Sequence, residues 1–244
     1  MAATTSINYQ LIEDLLKTSE DGEKIFQSLG TCFERLSFAN MRVQDISQVT
    51  QECIAPNFEK WRLWEEDQED FRRTLRLIRM LTAEAIHHLH SAFDPLACAT
   101  YWFNVCRDKR KISDRKLNFY KVQTCESVPA KYRKLFANLA NSNSFYHLAA
   151  LSNLAKHSQI VQPMFSIRSD GVAPASAEHA MVFESCKGQN WLNKDRELPT
   201  EIHFPRTPIS IFLRAELQRI TPLFHELAGL IRSDLDMRLK AEKL

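Results

Sequence analysis

The sequence predicts a mainly α-helical fold: a helix bundle with a small antiparallel β insertion, at about residues 160–206, before the C-terminal helices. The 244 residues include only five glycines, and because β folds place glycine in their many tight turns, this scarcity favours helices. Apolar residues recur at three- and four-residue steps over most of the chain, which is the period of an amphipathic helix. Between residues 161 and 204 that period gives way to alternation, punctuated by glycines and prolines, which predicts short strands.

The composition is that of an ordinary globular chain. Hydrophobic residues make up 44% and charged residues 25%, and the formal net charge is only +2, so a charged partner must be recognised by a local patch. The six cysteines form no C-x-x-C pair, which is typical of reduced thiols in the cytosol. No stretch approaches the roughly 20 apolar residues that cross a bilayer, and the N-terminus lacks the features of a signal peptide. We therefore expect a cytoplasmic protein with no membrane contact.

Residues 1–55 are predicted to form a helical appendage to a bundle of residues 56–244. A short helix is expected at residues 7–17, and Gly22 breaks it. A second helix follows, and its apolar face is formed by Ile25, Phe26, Leu29, Phe33 and Leu36. A polar stretch, which could contain another short helix, then leads to Pro56.

A long helix is predicted to begin at Asn57, with charges of both signs in its first half. Its apolar stripe consists of Leu75, Ile78, Leu81, Ala85, Ile86, Leu89 and Phe93. Pro95 should interrupt the helix, because proline lacks an N–H and crowds the preceding turn. Asp94 is expected to cap the restarted segment, which continues to Val105.

Two further helices are predicted after a basic connector, at residues 127–139 and 145–157. Two or three short antiparallel strands then follow, near residues 161–167, 181–183 and 202–204. Pro163 marks an edge strand, because proline cannot donate a hydrogen bond to a neighbouring strand. A final helical region is expected to start at Thr207 and to be kinked by Pro222.

Four polar side chains share roughly one face of the predicted long helix: Glu84, His87, His90 and Asp94. Glu-x-x-His is half of the metal-binding pattern of carboxylate-bridged di-iron bundles, but such a site needs a second copy on a facing helix. The sequence contains no second copy. We therefore interpret this face as a polar seam against another helix or solvent, and expect neither a metal nor a cofactor.

Asn153, Lys156 and His157 form a second candidate cluster, near the end of a predicted helix. Asn153 and His157 are four residues apart and lie along one helical face. Carbonyl dipoles at a helix C-terminus favour a protonated imidazole, so His157 could act as an acid or a base near neutral pH. The alternative is that His157 or Lys156 simply bonds the last carbonyl groups of the helix.

The connector at residues 107–116 is basic. Arg107, Lys109, Arg110, Lys111, Arg115 and Lys116 outnumber Asp108 and Asp114. Such a concentration of cations can bind phosphates, and a solvated loop between helices is the alternative. The sequence has no G-x-S-x-G, phosphate-binding glycine loop, dinucleotide fingerprint or H-E-x-x-H, so the common hydrolase, nucleoside-triphosphatase and dehydrogenase classes have no support.

Two segments together resemble a known group of proteins. Residues 84–97, EAIHHLHSAFDPLA, resemble a helix that reads roughly G-D-x-x-H-x-L-R-S-A-L-D-H-L-A in a group of uncharacterised bacterial helical proteins. Residues 147–157, HLAALSNLAKH, resemble that group's L-x-x-L-S-N-x-D-K-H-R helix. The pair occurs in the same order and at the same spacing, and the resemblance covers about residues 75 to 240.

This group is similar to the HEPN superfamily, the higher eukaryotes and prokaryotes nucleotide-binding domains. HEPN proteins are helix bundles, often dimeric, and many are metal-independent ribonucleases of toxin–antitoxin or antiphage systems. The resemblance implies RNA or nucleotide recognition, with RNA and a second copy or a cognate protein as partners. It leaves open whether the chain is an enzyme, which would then be a metal-independent endoribonuclease.

The resemblance also implies catalytic residues. The HEPN active helix carries an arginine, a polar residue and then a histidine four residues later. Asn153 and His157 match the last two, while Ser152 occupies the arginine position. RNA cleavage by its own 2′-hydroxyl needs a base, which His157 would supply, and a cation for the crowded phosphate. That cation would have to come from Lys156, Arg133 or a second subunit.

The predicted substrate-binding residues are Arg133, His90, Asp94, Arg107 and Arg110. The prediction requires the faces that bear Asp94 and His157 to meet across a helix pair in an open cleft. The chain also departs from the family pattern, with His90 in place of an arginine, Pro95 in place of a histidine and Ser158 in place of an arginine. These departures favour the alternative, a non-catalytic structural or protein-interaction module that is dimeric.

Overall fold

The computed structural model describes Asp14, Lys17 and residues 21–62, 69–156, 163–166, 174–189 and 201–241. Over these residues the protein is mainly helical, with small antiparallel sheets before the last helix, which confirms the predicted fold class. No helix in this part of the chain is both long and apolar enough to cross a bilayer. The predicted helix at residues 7–17 lies outside the described residues, except for Asp14 and Lys17, which are helical.

The chain divides into two compact units, and each is assembled from separate segments. The first unit comprises residues 1–34, 92–139 and 220–244, and the second comprises residues 35–91 and 140–219. The predicted boundary after residue 55 does not coincide with this division. Segments far apart in the chain supply the core of each unit, and a linear reading of composition does not detect such an arrangement.

Helix α1 (Gly22–Val49) is longer than the sequence suggested, and the expected polar stretch after Leu36 is helical. The reason is that buried Ala39, Val43 and Ile46 continue the three- and four-residue step of the apolar face. A π-helical turn (Thr50–Ile54) and a 3₁₀ turn (Ala55–Asn57) extend it. Helix α2 (Phe58–Arg62) and helix α3 (Glu69–Ser91) follow, and residues 63–68 of the predicted long helix lie outside the described residues.

The predicted interruption is present between α3 and helix α4 (Phe93–Asn104). The expectation that Asp94 caps α4 was wrong, because Ala92 occupies the N-cap position and makes no side-chain cap bond. Asp94 instead accepts a hydrogen bond of 2.9 Å from the backbone N–H of Phe119. Phe119 is the first residue of helix α5 (Phe119–Gln123), whose leading N–H groups have no partner within their own helix.

Aromatic side chains form the core of the first unit. Beyond two 3₁₀ turns (Arg107–Lys109 and Asp114–Lys116), α5 and helix α6 (Ala130–Ala140) supply Phe119 and Phe136, whose ring centroids are 5.4 Å apart. Phe93 contacts Phe119 and Phe224, with ring centroids 5.2 Å apart in each pair. These edge-to-face contacts between buried rings are a favourable aromatic geometry.

In the second unit, helix α7 (Asn143–Lys156) begins where Ser142 accepts a hydrogen bond of 3.0 Å from the N–H of Phe145. A three-stranded sheet has the order β1 (Pro163–Phe165), β2 (Met181–Phe183), β5 (Thr207–Pro208), with antiparallel pairing throughout. Strand β1 is at the edge, as Pro163 predicted. A short helix α8 (Ala177–Ala180) precedes β2.

A second, two-stranded sheet is formed by β3 (Cys186–Gln189) and β4 (Glu201–Phe204). Strand β3 was missed, because its four residues, CKGQ, show no apolar alternation. The chain ends in one continuous helix, α9 (Ile209–Ala241), with Pro222 inside it. The expected plural C-terminal helices are therefore a single helix, and Thr207 belongs to a strand.

Candidate functional site

Two helices that carry parts of the paired motifs are neighbours within the second unit. The remainder of the first motif, residues 92–97, belongs to the first unit. Helix α3 bears residues 69–91, including His90, and packs directly against α7. The imidazole of His90 stacks on the ring of Phe145, with centroids 6.4 Å apart and planes 20° from parallel. Half-buried His90 therefore contributes to the contact between α3 and α7. A phosphate group could bind the imidazole only if His90 left its stacked position on Phe145.

Ser152 and Asn153 occupy the centre of the second motif. Ser152, at the position where HEPN proteins carry an arginine, is only 2% exposed. An arginine at this position would place a charge in a buried environment, which is unfavourable. Asn153 is half-buried on α7 and is the one predicted catalytic residue whose side chain the structure describes.

His157 lies outside the described residues, and so does the side chain of Lys156, which is the last residue of α7. The prediction that the faces of Asp94 and His157 meet in a cleft therefore stays a prediction. Asp94 itself is exposed, belongs to the first unit and uses one carboxylate oxygen to hold α5.

His147, at the start of the second motif, is a residue that sequence analysis missed. It is 4% exposed and stacks on Phe204, with centroids 4.5 Å apart and planes 3° from parallel. Phe212 and Phe183 complete its surroundings, at 4.7 and 6.2 Å. Burial lowers the pKa of His147 to about 4, and no described residue forms a hydrogen bond with its Nε2. The sequence did contain a signal for this residue. His147 is four residues before Leu151 and seven before Leu154, so it lies on the apolar face of the helix, where a histidine is buried and neutral.

Arg110 is the anchor of the basic connector in the first unit. Its guanidinium forms an ion pair with Asp21, and its Nε donates a hydrogen bond of 3.1 Å to the carbonyl of Val105. The hydrogen bond from Arg110 holds the pKa of Asp21 below its usual value. A side chain engaged in this way fixes the course of the connector, whereas Arg107 is exposed and can meet a ligand.

Asp114, another carboxylate of the basic connector, also has hydrogen-bond donors. It accepts hydrogen bonds of 3.1 Å from Lys24 and 3.2 Å from the indole Nε1 of Trp102. These bonds, that of Lys24 foremost, lower the pKa of Asp114. Asp114 is therefore held ionised by Lys24 and Trp102, and among the described residues it forms no ion pair with Lys111, Lys116 or Lys121.

An open cavity of about 530 Å³, which we call the lysine cleft, is lined by three lysines. Its lining residues are Lys111, Ile112, Ser113, Lys116, Lys121, Thr124, Cys125, Glu126 and Ser127. The lysines are exposed and form no ion pair with any described residue, Glu126 included. The cleft thus offers three ammonium groups to a ligand, two from the predicted connector and one, Lys121, from α5.

The remaining candidate residues do not join the cleft. Arg133 uses its Nε to donate a hydrogen bond of 3.0 Å to the carbonyl of Val128, just before its own helix. The Nε of Arg42 forms an ion pair with Glu84 at 2.5 Å. Glu84 is the carboxylate on the helix face that also bears His87 and His90, so this carboxylate already has a partner. Among the described residues no group of three His, Cys, Asp or Glu side chains could hold a metal ion.

No family model, no curated protein and no solved structure matches the chain.

Proposed function

We propose that the chain recognises RNA through its phosphates, in the lysine cleft of the first unit. The observation that carries this proposal is a cleft lined by three lysines that no described carboxylate pairs with. The resemblance to HEPN proteins implies the same class of ligand. The cleft on α5 and the connector would bind the RNA strand. The RNA cleavage that the resemblance implies for residues of α7 is a separate proposal.

The charge balance around the cleft supports an anionic ligand. Three exposed lysines, Lys111, Lys116 and Lys121, line the cleft, whose lining includes a single acid, Glu126, and Glu126 forms no ion pair with a described residue. Lysines on flexible stems suit phosphates at varied positions, because each carries a compact charge and three donors. Phosphate binding by such groups releases counterions and weakens steeply with salt.

Fluorescence anisotropy with a labelled uridine octamer tests the proposal. Lys111→Gln, Lys116→Gln and Lys121→Gln should each weaken binding, and each should reduce the slope of log affinity against log salt by about 0.7. Lys134→Gln is the matched control, because Lys134 is exposed in the same unit but does not line the cleft. Equal affinities and slopes for all five proteins would exclude the lysine cleft as the RNA site.

A ribonuclease activity is the catalytic extension of this proposal. His157 would take the 2′-hydroxyl proton as the 2′-oxygen attacks phosphorus, Asn153 would orient the strand, and Lys156 would supply the cation at the phosphate. The P–O5′ bond would break, with a proton from water reaching the 5′-oxygen, to give a 2′,3′-cyclic phosphate and a 5′-hydroxyl. To test it, structured and unstructured RNAs are incubated with the wild type and with His157→Ala, each in the presence of a metal chelator. Metal-free cleavage that His157→Ala abolishes supports the extension, and intact RNA with the wild type removes it while leaving RNA binding untouched.

A second candidate function is a protein-interaction module without chemistry, in which two copies of the chain associate. Four large apolar side chains in the second unit favour it: Phe38, Met41, Leu77 and Met80 are all more than 40% exposed. They lie on α1 and α3 beside the Arg42–Glu84 ion pair and the contact of Phe38 with His88. Sedimentation velocity of the wild type and of Met80→Glu tests for a dimer, and a monomer at all concentrations rejects it.

A further inference from the structure

We infer that the lysine cleft selects a nucleotide whose base presents two adjacent N–H donors, as guanine does, and that Glu126 reads it. This inference rests on the proposed RNA binding and specifies its sequence preference. The observation behind it is the placement of one carboxylate in the wall of a cleft whose other charges are all cationic.

Glu126 is exposed, lines the cleft with Lys111, Lys116 and Lys121, and pairs with none of them. An ionised carboxylate accepts hydrogen bonds and donates none. It therefore repels a ligand that consists only of phosphates. The carboxylate becomes favourable when the ligand carries phosphate at one end and N–H donors at the other, which is the chemistry of a nucleotide.

The dimensions and the hydroxyl groups of the cleft agree with a single nucleotide. Its volume of about 530 Å³ falls within the roughly 300–1,000 Å³ of small-ligand sites. The hydroxyl of Thr124 lies 3.3 Å from the carbonyls of Tyr120 and Lys121, so its proton is engaged there. Ser113 and Ser127 keep hydroxyl groups that can bond ribose or phosphate oxygens.

Guanine is the base that matches a carboxylate best. Its N1–H and N2–H groups are adjacent on the Watson–Crick edge and can donate to the two carboxylate oxygens together. Adenine and cytosine each place an acceptor beside their amino group, and that acceptor would face the negative carboxylate. Bidentate base contacts of this kind discriminate by roughly tenfold or more.

The test compares uridine octamers that carry one central guanosine, inosine or adenosine, by anisotropy with the full chain. The wild type should bind the guanosine octamer about tenfold tighter than the adenosine octamer, with inosine between them because it lacks the N2 amine. Glu126→Gln should abolish the preference and strengthen binding of the all-uridine octamer. Displacement of the labelled octamer by GMP or AMP tests whether a free nucleotide binds as well as a strand. Stronger displacement by GMP than by AMP supports recognition of guanine by Glu126.

Equal binding of the three octamers by the wild type, or a guanosine preference that persists in Glu126→Gln, overturns the inference. A failure of the proposed function gives a different result. If the lysine cleft does not bind RNA, the all-uridine octamer binds the wild type and Lys116→Gln equally. Glu126 is exposed and outside every described helix and strand, so the substitution leaves the fold intact.

Discussion

The phenolic hydroxyl of Tyr132 donates a hydrogen bond of 2.8 Å to Oδ2 of Asp234, although 102 residues separate them in the chain. Lys131 pairs with the other oxygen of the same carboxylate. Tyr132 is fully buried, and burial followed by the hydrogen bond to Asp234 raises the pKa of its hydroxyl. This pair joins α6 to the end of α9 within the first unit.

Tyr132→Phe should lower the free energy of unfolding by about 1–3 kcal/mol, because the buried carboxylate of Asp234 loses a donor. Urea denaturation measures the change. Lys131→Gln is the comparison, and it should cost less than about 1 kcal/mol because 44% of the Lys131 side chain is exposed. If Tyr132→Phe costs no more than Lys131→Gln, the hydrogen bond to Asp234 has no part in stability.

His147 should make stability depend on pH. Its pKa is about 4 when folded, below the value of 6.5 for an exposed histidine, so the unfolded chain binds the proton more tightly. The contribution to stability is complete above pH 6.5 and is lost as the pH falls towards 4. The free energy of unfolding should fall by roughly 3 kcal/mol over that range for this residue.

His147→Leu should flatten that dependence, because leucine cannot be protonated and Nε2 forms no hydrogen bond with any described residue. Urea denaturation of both proteins at a series of pH values measures it. Between pH 7 and 8 the difference between the two proteins should be constant, which serves as the control. Parallel curves below pH 6.5 would mean that His147 does not titrate on unfolding.

Arg110 and Arg107 should differ in what they do, although both belong to the basic connector. Arg110→Ala leaves the buried carboxylate of Asp21 without its main partner and should lower the free energy of unfolding by on the order of 3 kcal/mol. Arg107→Ala removes an exposed charge that does not line the lysine cleft, so it should leave stability unchanged and weaken binding of the uridine octamer less than Lys116→Gln does. Thermal unfolding and anisotropy on the two variants check this, and equal stabilities would show that the Arg110–Asp21 ion pair is unimportant.

Gly30→Ala and Gly229→Ala should each stabilise the protein. Both glycines lie inside helices, α1 and α9, and at either position an added Cβ would have no described atom within 4 Å beyond its chain neighbours and the adjacent backbone of its own helix. Alanine lowers the backbone entropy of the unfolded chain, which should add about 0.5–1 kcal/mol per site. Calorimetry should show a higher Tm for each variant and an additive gain for the pair, and a lower Tm in either would indicate a clash.

Local signals in the sequence predicted most of the helices. The three- and four-residue apolar step located α3, α6 and α7, and Pro163 placed β1 at a sheet edge. The end of α1 was predicted too early, because its buried face after Leu36 consists only of Ala39, Val43 and Ile46, and alanine and valine give a weaker periodic signal than leucine. Strand β3 lacked alternation altogether, so only its pairing with β4 defines it.

Tertiary contacts decided what local signals could not. Asp94 has the chemistry of an N-cap, yet its oxygen binds the N–H of Phe119, a contact between segments that sequence spacing does not reveal. The basic connector was recognised as a phosphate-binding candidate from Lys111 and Lys116. Lys121 and Glu126 complete the lysine cleft because α5 turns back beside the connector, and that turn is not encoded in any motif.

The aromatic core of the first unit has a consequence for biosynthesis. Phe93 is made early and rests against Phe224, and Tyr132 rests against Asp234. In a nascent chain the rings of Phe93 and Tyr132 therefore lack these partners until Phe224 and Asp234 of α9 have left the ribosome. During that interval the exposed rings are a surface for chaperones that bind apolar segments.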